Sequence, residues 1–353
     1  MLLHADNFSI YGTNTAFMLN GIYAQIDCTL VADPSGASGT VLKASLGANP
    51  ATVSRYVWQN GAKTKGGVAF RLWMAALPAS NNLILPISFA DTGNTTLASL
   101  EVLTTGQMKV NITGGSTYTS TIPVVSANGW YHVEMSYTHG TGALCSFEVR
   151  VEGVSASGLL QTNVAGTNAD PAQVTPINKT NAVSWYIKDL VVWDNSGTYN
   201  NDFLGSVMVT RLTTTSDISL NWTPSTGTTG YNILAASPPV DTTYISAPYN
   251  AGGPPYYPNA YVGDLSNVPA TATTVKGVIT FVRAAKSDGG DGSLQVGLIS
   301  SPAASPATVL GANRPITTAQ TYWRDVFETD PKTSVPWLPA AVNLAQLQIN
   351  RTL

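Results

Sequence analysis

The chain has 353 residues, 44% of them hydrophobic and only 10% charged, with a net charge of −3. Globular chains ordinarily carry about 25% charged residues. The mildly acidic balance and the lack of a basic cluster exclude nucleic acid as an expected partner, because phosphate neutralisation needs Lys and Arg gathered on one face. No run approaches the ~18 apolar residues of a membrane-spanning helix, so no membrane partner is expected.

At this length the chain can bury two or three cores. Its polarity comes from Thr, Ser, Asn and Gly, a neutral hydroxyl- and amide-rich surface suited to contacts with sugars or with a neighbouring protein. Residues 1–20 read as an opening loop and a short strand. Residues 21–32 alternate with period two and predict a strand, closed by the turn Asp33-Pro34-Ser35-Gly36. Short strands follow at Val41–Leu46 and Ser54–Gln59, the second ending at the tight-turn pair Asn60-Gly61. Gly67–Met74 puts Val68, Phe70, Leu72 and Met74 on one face and Trp73 on the other.

Ile84–Ala90, Leu97–Thr104 and Met108–Ile112 continue at the 8–12-residue spacing of a sandwich. In Trp130–Tyr137, residues Tyr131, Val133, Met135 and Tyr137 alternate against His132, Glu134 and Ser136, and Ala143–Val151 reads as the hairpin partner. Cys28 and Cys145 both fall on apolar phases. They read as buried core thiols, with a disulfide between adjacent strands as the alternative. Residues 153–182 read as polar loop. Ser184–Leu212 holds a strand-like run (Leu190–Trp193), an Asx- and Gly-rich loop (Asp194–Asp202) and a second strand-like run (Val207–Leu212), which predicts a boundary between two β-domains, 1–204 and 205–353.

Beyond it, strands are predicted at Ile218–Trp222, Val275–Ala284 and Leu294–Ile299, with a helical turn or two at Pro339–Leu347. The Pro- and Tyr-rich stretch Ser237–Tyr261 cannot serve a central ladder and reads as a contact surface. Its candidate protein-interface residues are Tyr249, Tyr256, Tyr257 and Tyr261. The fold class is all-β, two antiparallel β-sandwich domains.

Chemistry is faint. His4, His132 and His139 sit in no hydrolase or metal motif and read as solvated. Glu134 with Glu148 or Glu152 could face each other across a hairpin, as glycoside cleavage requires of two carboxylates, but all three lie on the outward phase, where carboxylates are ordinary. The chain is therefore expected not to be an enzyme, with a glycan depolymerase as the alternative. No cofactor is expected. Asp194, Asn195 and Asp202 offer hard oxygens for Ca²⁺, yet Asx-rich turns usually bond their own backbone. Aromatic rings flanked by polar groups are the sugar-binding candidates: Trp58 beside Asn60, Trp73, Trp185 and Tyr186.

Two resemblances add to this reading. Gly129-Trp130-Tyr131-His132-Val133-Glu134, the hairpin to Phe147–Gly153, and Ile187-Lys188-Asp189-Leu190-Val191-Val192 resemble laminin-G/concanavalin-like jelly rolls over residues 1–205. The order and spacing of Asp194–Gly197, Asn201–Gly205, Trp222–Ser225, Pro238–Tyr244, Asp264-Leu265, Ala284–Lys286, Phe327–Pro331 and Trp337 before Ala341–Asn343 resemble a family of tailed-bacteriophage structural proteins. That resemblance implies a virion subunit of the tail, a fibre or the head decoration, presenting a carbohydrate-binding-like jelly roll. Its expected partners are other virion proteins, copies of itself in a homo-oligomer, and host-surface glycans. A capsid cement protein without a glycan ligand is the alternative. The opening residues show no basic region before an apolar core, so the expected location is the virion, assembled in the host cytoplasm and released by lysis.

Overall fold

The computed structural model describes residues 1–13, 23, 28–44, 56–57, 61–81, 84–179, 183–247, 261–287, 289–302 and 306–352. Strands dominate, paired antiparallel throughout. The chain divides into two compact units, Met1–Val209 and Thr210–Leu353.

The first unit contains β1 (Leu2–Asp6), β2 (Cys28–Ala32), β3 (Thr40–Ala44), β4 (Tyr56–Val57), β5 (Lys65–Met74), β6 (Ile84–Ala90) and β7 (Thr96–Val102). It continues with β8 (Met108–Ile112), β9 (Thr117–Thr119), β10 (Trp130–His139), β11 (Leu144–Val151), β12 (Val154–Ala165), β13 (Gln173–Lys179) and β14 (Trp185–Asp194). One sheet of eight strands runs β12-β11-β10-β5-β14-β3-β2, with β1 also pairing β14; a second of six runs β4-β13-β6-β7-β8-β9. Alternation explains why the sheets face each other. Val133, Met135 and Tyr137 of β10 meet Val68, Phe70, Leu72 and Met74 of β5 on the inner side, all fully buried with Phe89, Leu100 and Val110 of the opposing sheet. The Phe89 and Tyr137 rings stack across the gap at 6.1 Å, and Tyr118 reaches Phe147 at 5.3 Å. This is a jelly-roll-type β-sandwich. Both cysteines are buried thiols, and they are not joined in a disulfide.

Strand β14 carries a bulge between Lys188 and Val191, with Asp189 at φ 53°. The extra residue reverses the alternation. Before it Trp185 and Ile187 point inward; after it Val192 does, and Trp193 turns to the outer face opposite Gly67. Two predictions are corrected, one loop and one strand. Residues 153–182 contain β12 and β13; β12 reads as polar because it is an edge strand with most of its side chains in solvent. Val207–Leu212, conversely, carries no ladder.

In the second unit, β15 (Thr214–Leu220), β18 (Tyr261–Leu265), β24 (Gln346–Thr352), β20 (Ser293–Ser300) and β21 (Ala307–Leu310) form one sheet in that order. β22 (Arg314–Pro315) adds to β20, while β16 (Thr223–Pro224) pairs β17 (Ile245–Ser246). β19 (Val278–Ala284) pairs β23 (Thr321–Phe327), whose Trp323 packs with Val282 against Trp222, Tyr261, Leu294, Val296 and Ile349. Two short helices are α1 (Gly230–Leu234) and α2 (Pro339–Asn343). The Asp217 carboxylate accepts the first N–H groups of α1, from Gly230 at 2.8 Å and Tyr231 at 2.7 Å. Pro339 opens α2, where its missing N–H costs nothing. No helix among the described residues is long and apolar enough to cross a membrane.

Candidate functional site

The register of the eight-stranded sheet sets a row of side chains across its outer face. Trp130 lies opposite Trp73, Trp73 opposite Tyr186, Tyr186 opposite Lys43 and Lys43 opposite Thr29. Four interstrand steps of ~4.8 Å make the row about 19 Å long. Trp73 and Tyr186, both half-buried, meet edge to face with ring centroids 5.1 Å apart. The Lys43 ammonium stands 5.9 Å from the Tyr186 ring centre.

Trp130 is committed differently. Its indole N–H faces Asp33 Oδ1 at 3.2 Å and Ser35 Oγ at 3.3 Å, and Lys188 Nζ sits 4.1 Å over its ring. Lys188 in turn pairs with Asp33 Oδ2 at 2.7 Å. Burial alone would raise the Asp33 pKa. The Lys188 ammonium and the Ser35 hydroxyl and N–H outweigh it, holding this carboxyl below the usual range. The β2–β3 turn is thereby tied down beside the row, and the aromatic surface left to a ligand is that of Trp73 and Tyr186.

The neighbouring part of the same face is roofed by residues 202–209. Glu134, fully buried, accepts the backbone N–H of Leu204 at 2.8 Å and of Gly205 at 3.2 Å. Val207 N–H points at His132 Nε2 (3.4 Å) and Val209 N–H donates to Asp189 Oδ1 (3.1 Å). Arg71 pairs with Asp189 at 3.3 Å and donates to Ser206 Oγ at 3.3 Å. Phe203 is held between Trp193, 6.0 Å away, and the Arg150 guanidinium, 3.8 Å over its ring. Burial under this strap, aided by the Arg71 charge, depresses the His132 pKa to about 4, with Glu152 opposing. Burial likewise pushes Asp189 up, against the pull of the Val209 N–H and Arg71.

These contacts correct several expectations. His132 and Glu134 keep the outward phase but are not solvated; the strap covers them. His4 is also buried, with Nε2 3.0 Å from the Tyr23 hydroxyl. The carboxylates weighed for glycan cleavage have structural partners: Glu134 the strap, Glu148 the Arg150 guanidinium at 2.7 Å, and Glu152 the His132 backbone N–H at 2.6 Å.

Of the predicted aromatic candidates, the structure brings Trp73 and Tyr186 together. Trp185 is fully buried and points into the sandwich, because adjacent residues of a strand face opposite sides. Trp58 and Asn60 lie outside the described residues, as do Tyr249, Tyr256 and Tyr257. Tyr261 is fully buried in the second unit's core and cannot be an interface residue. Asp194 Oδ1 accepts from the Ser196 N–H (2.9 Å) and hydroxyl (2.5 Å). Asn195 donates to Thr64 Oγ1 at 2.9 Å, and Asp202 pairs with Lys65 at 2.8 Å. Among the described residues no group of three or more His, Cys, Asp or Glu side chains gathers around a possible metal position. Sequence reasoning missed Trp130, Lys43, Lys188 and Asp33. No local pattern announces them, since Asp33 and Lys188 meet across 155 positions.

No family model and no curated protein matches the chain. Solved structures similar to it include an endo-β-1,4-glucuronan lyase from the fungus Trichoderma reesei, at 11% identity, 54% of this chain and 95% of that one, TM-score 0.37. The alginate lyase Aly36B is similar at 12% identity over 53% of this chain and 95% of that one, TM-score 0.36. A carbohydrate esterase of the Shiga toxin-encoding bacteriophage phi24B is similar at 15% identity over 54% and 97%, TM-score 0.35. The expectation that the chain is not an enzyme is not upheld: these three similar structures are two polysaccharide lyases and a carbohydrate esterase. At such TM-scores neither their activities nor their catalytic residues are transferred to this chain.

Proposed function

We propose that the chain is a glycan-directed component of a tailed-phage particle, whose first unit holds a host-surface polysaccharide along the Trp73–Tyr186 row. The observation that carries this reading is the half-buried pair of rings at the centre of the outer sheet face, flanked by Lys43 and Thr29 on one side and the Asp33–Lys188–Trp130 cluster on the other. Pyranose C–H groups pack on such rings while neighbouring polar groups take the hydroxyls. The phage assignment rests on the resemblance of residues 190–345 to phage structural proteins. Repetition on a symmetric particle would raise weak sites to useful avidity.

A depolymerising role is the second reading. Beside the rings His132, Arg71 and Lys188 stand opposite one another in register. But His132 is buried under the strap and the two cations are paired with Asp189 and Asp33, so cleavage would have to use other groups of this face. Affinity electrophoresis through gels containing host polysaccharides, followed by sizing of the recovered polymer, tests both. The intact chain is expected to be retarded and Trp73→Ala to migrate freely. Shortened polymer would assign cleavage to the chain. Free migration of the intact chain in every gel, with every polymer unshortened, would overturn both readings in favour of a ligand-free decoration subunit.

A further inference from the structure

We propose that the polymer held on this row is acidic, and that Lys43 reads its charge; the inference rests on the glycan reading above. The other cations of this face are neutralised by the fold. Lys188 pairs with Asp33 at 2.7 Å, Arg71 with Asp189 at 3.3 Å, and Lys65 with Asp202 at 2.8 Å. Lys43 differs. Among the described residues it forms no ion pair, and its described aromatic contact is the face of Tyr186 at 5.9 Å. It is half-buried, projecting from β3 between Tyr186 and the exposed Thr29, at the end of the row opposite the Asp33 cluster.

An ammonium held at the rim of an aromatic platform lacks a counter-charge that the ligand can bring. A polymer lying across Trp73 and Tyr186 would pass Lys43 and place an acidic substituent beside it. Asp33, the carboxylate at the far end, is covered by Lys188 and the Trp130 indole, so it presents no repelling charge of its own. The row therefore has one electrostatic direction: ring pair in the middle, and at the β3 end a cation with no ion pair among the described residues.

The test uses the full chain and a panel of purified uronate-bearing bacterial polysaccharides, each beside its carboxyl-reduced, neutral form, with affinities read at low and high salt. The acidic form is expected to bind more tightly than its neutral form, with the difference shrinking as salt rises. Lys43→Gln is expected to weaken binding of the acidic form about threefold to fivefold, the scale of one exposed ion pair, and to leave the neutral form unchanged. Lys43→Arg should keep the preference. Equal binding of acidic and neutral forms, or a Lys43→Gln loss that is the same for both, overturns the inference while leaving the glycan reading standing. Failure of every polymer to bind overturns that reading and the inference with it.

Discussion

The Glu134 carboxylate accepts the backbone N–H of Leu204 at 2.8 Å, across 70 positions of sequence. With Gly205 on its second oxygen at 3.2 Å, this side chain anchors the strap that lies over part of the outer sheet face. Glu134→Ala would leave two N–H groups without their acceptor, at a cost of ~2–4 kcal/mol. Urea denaturation should show that loss, and limited proteolysis should cut at 202–209 where the intact chain resists. Glu134→Gln, which keeps one acceptor oxygen, should lie between the two. A Glu134→Gln protein of unchanged stability that lost polysaccharide cleavage would instead make Glu134 a catalytic group.

Gly67 lies against Trp193 on the same face. A Cβ at this position would stand 1.9 Å from the indole Cζ2, and the ring is fully buried between Lys65 and Phe203. Overpacking of this kind costs about 3 kcal/mol. Gly67→Ala should therefore lower the melting temperature by several degrees or prevent folding, whereas Gly36→Ala, with open space around its Cβ, should be milder and limited to the strain of its positive φ.

His132 gives the fold a pH dependence whose sign follows from its burial. Its folded pKa is depressed to about 4, so the neutral ring is the form the fold accepts. The unfolded chain takes the proton near pH ~6.5. The stabilising contribution is thus complete above that pH and is lost as pH falls from there toward 4, on the order of 3 kcal/mol. Replacing His132 by Gln should flatten the stability profile in this window, measured by denaturant unfolding from pH 7 down to pH 4. A variant profile parallel to that of the intact protein would contradict the assignment.

Much of the sandwich was legible because one face of each central strand is apolar. Met108–Ile112 matches its predicted bounds, and the alternation through Trp130–Tyr137 gives the inward phase of Val133, Met135 and Tyr137 correctly. Outward phase was equated with solvent, and that failed for His132 and Glu134, because the covering strap comes from 70 residues away. Strand β12 was illegible for the converse reason: as an edge strand it buries only Ala156 and Leu159, which leaves no apolar alternation to read. The sequence offers both Trp185 and Tyr186 as sugar-binding candidates, although neighbours on a strand face opposite sides. The bulge at Asp189 hid which of them pointed outward, since the phase read from Leu190–Trp193 does not extend back through it.

Hydroxyl-radical footprinting of the full chain, with and without a bound host polysaccharide, tests the central claim most directly. Trp73, Tyr186 and the segment around Lys43 should be protected by the polymer, while Ile122 and Leu160, exposed elsewhere on the same unit, keep their reactivity. Polysaccharide binding that leaves Trp73 and Tyr186 as reactive as in the free protein would contradict it.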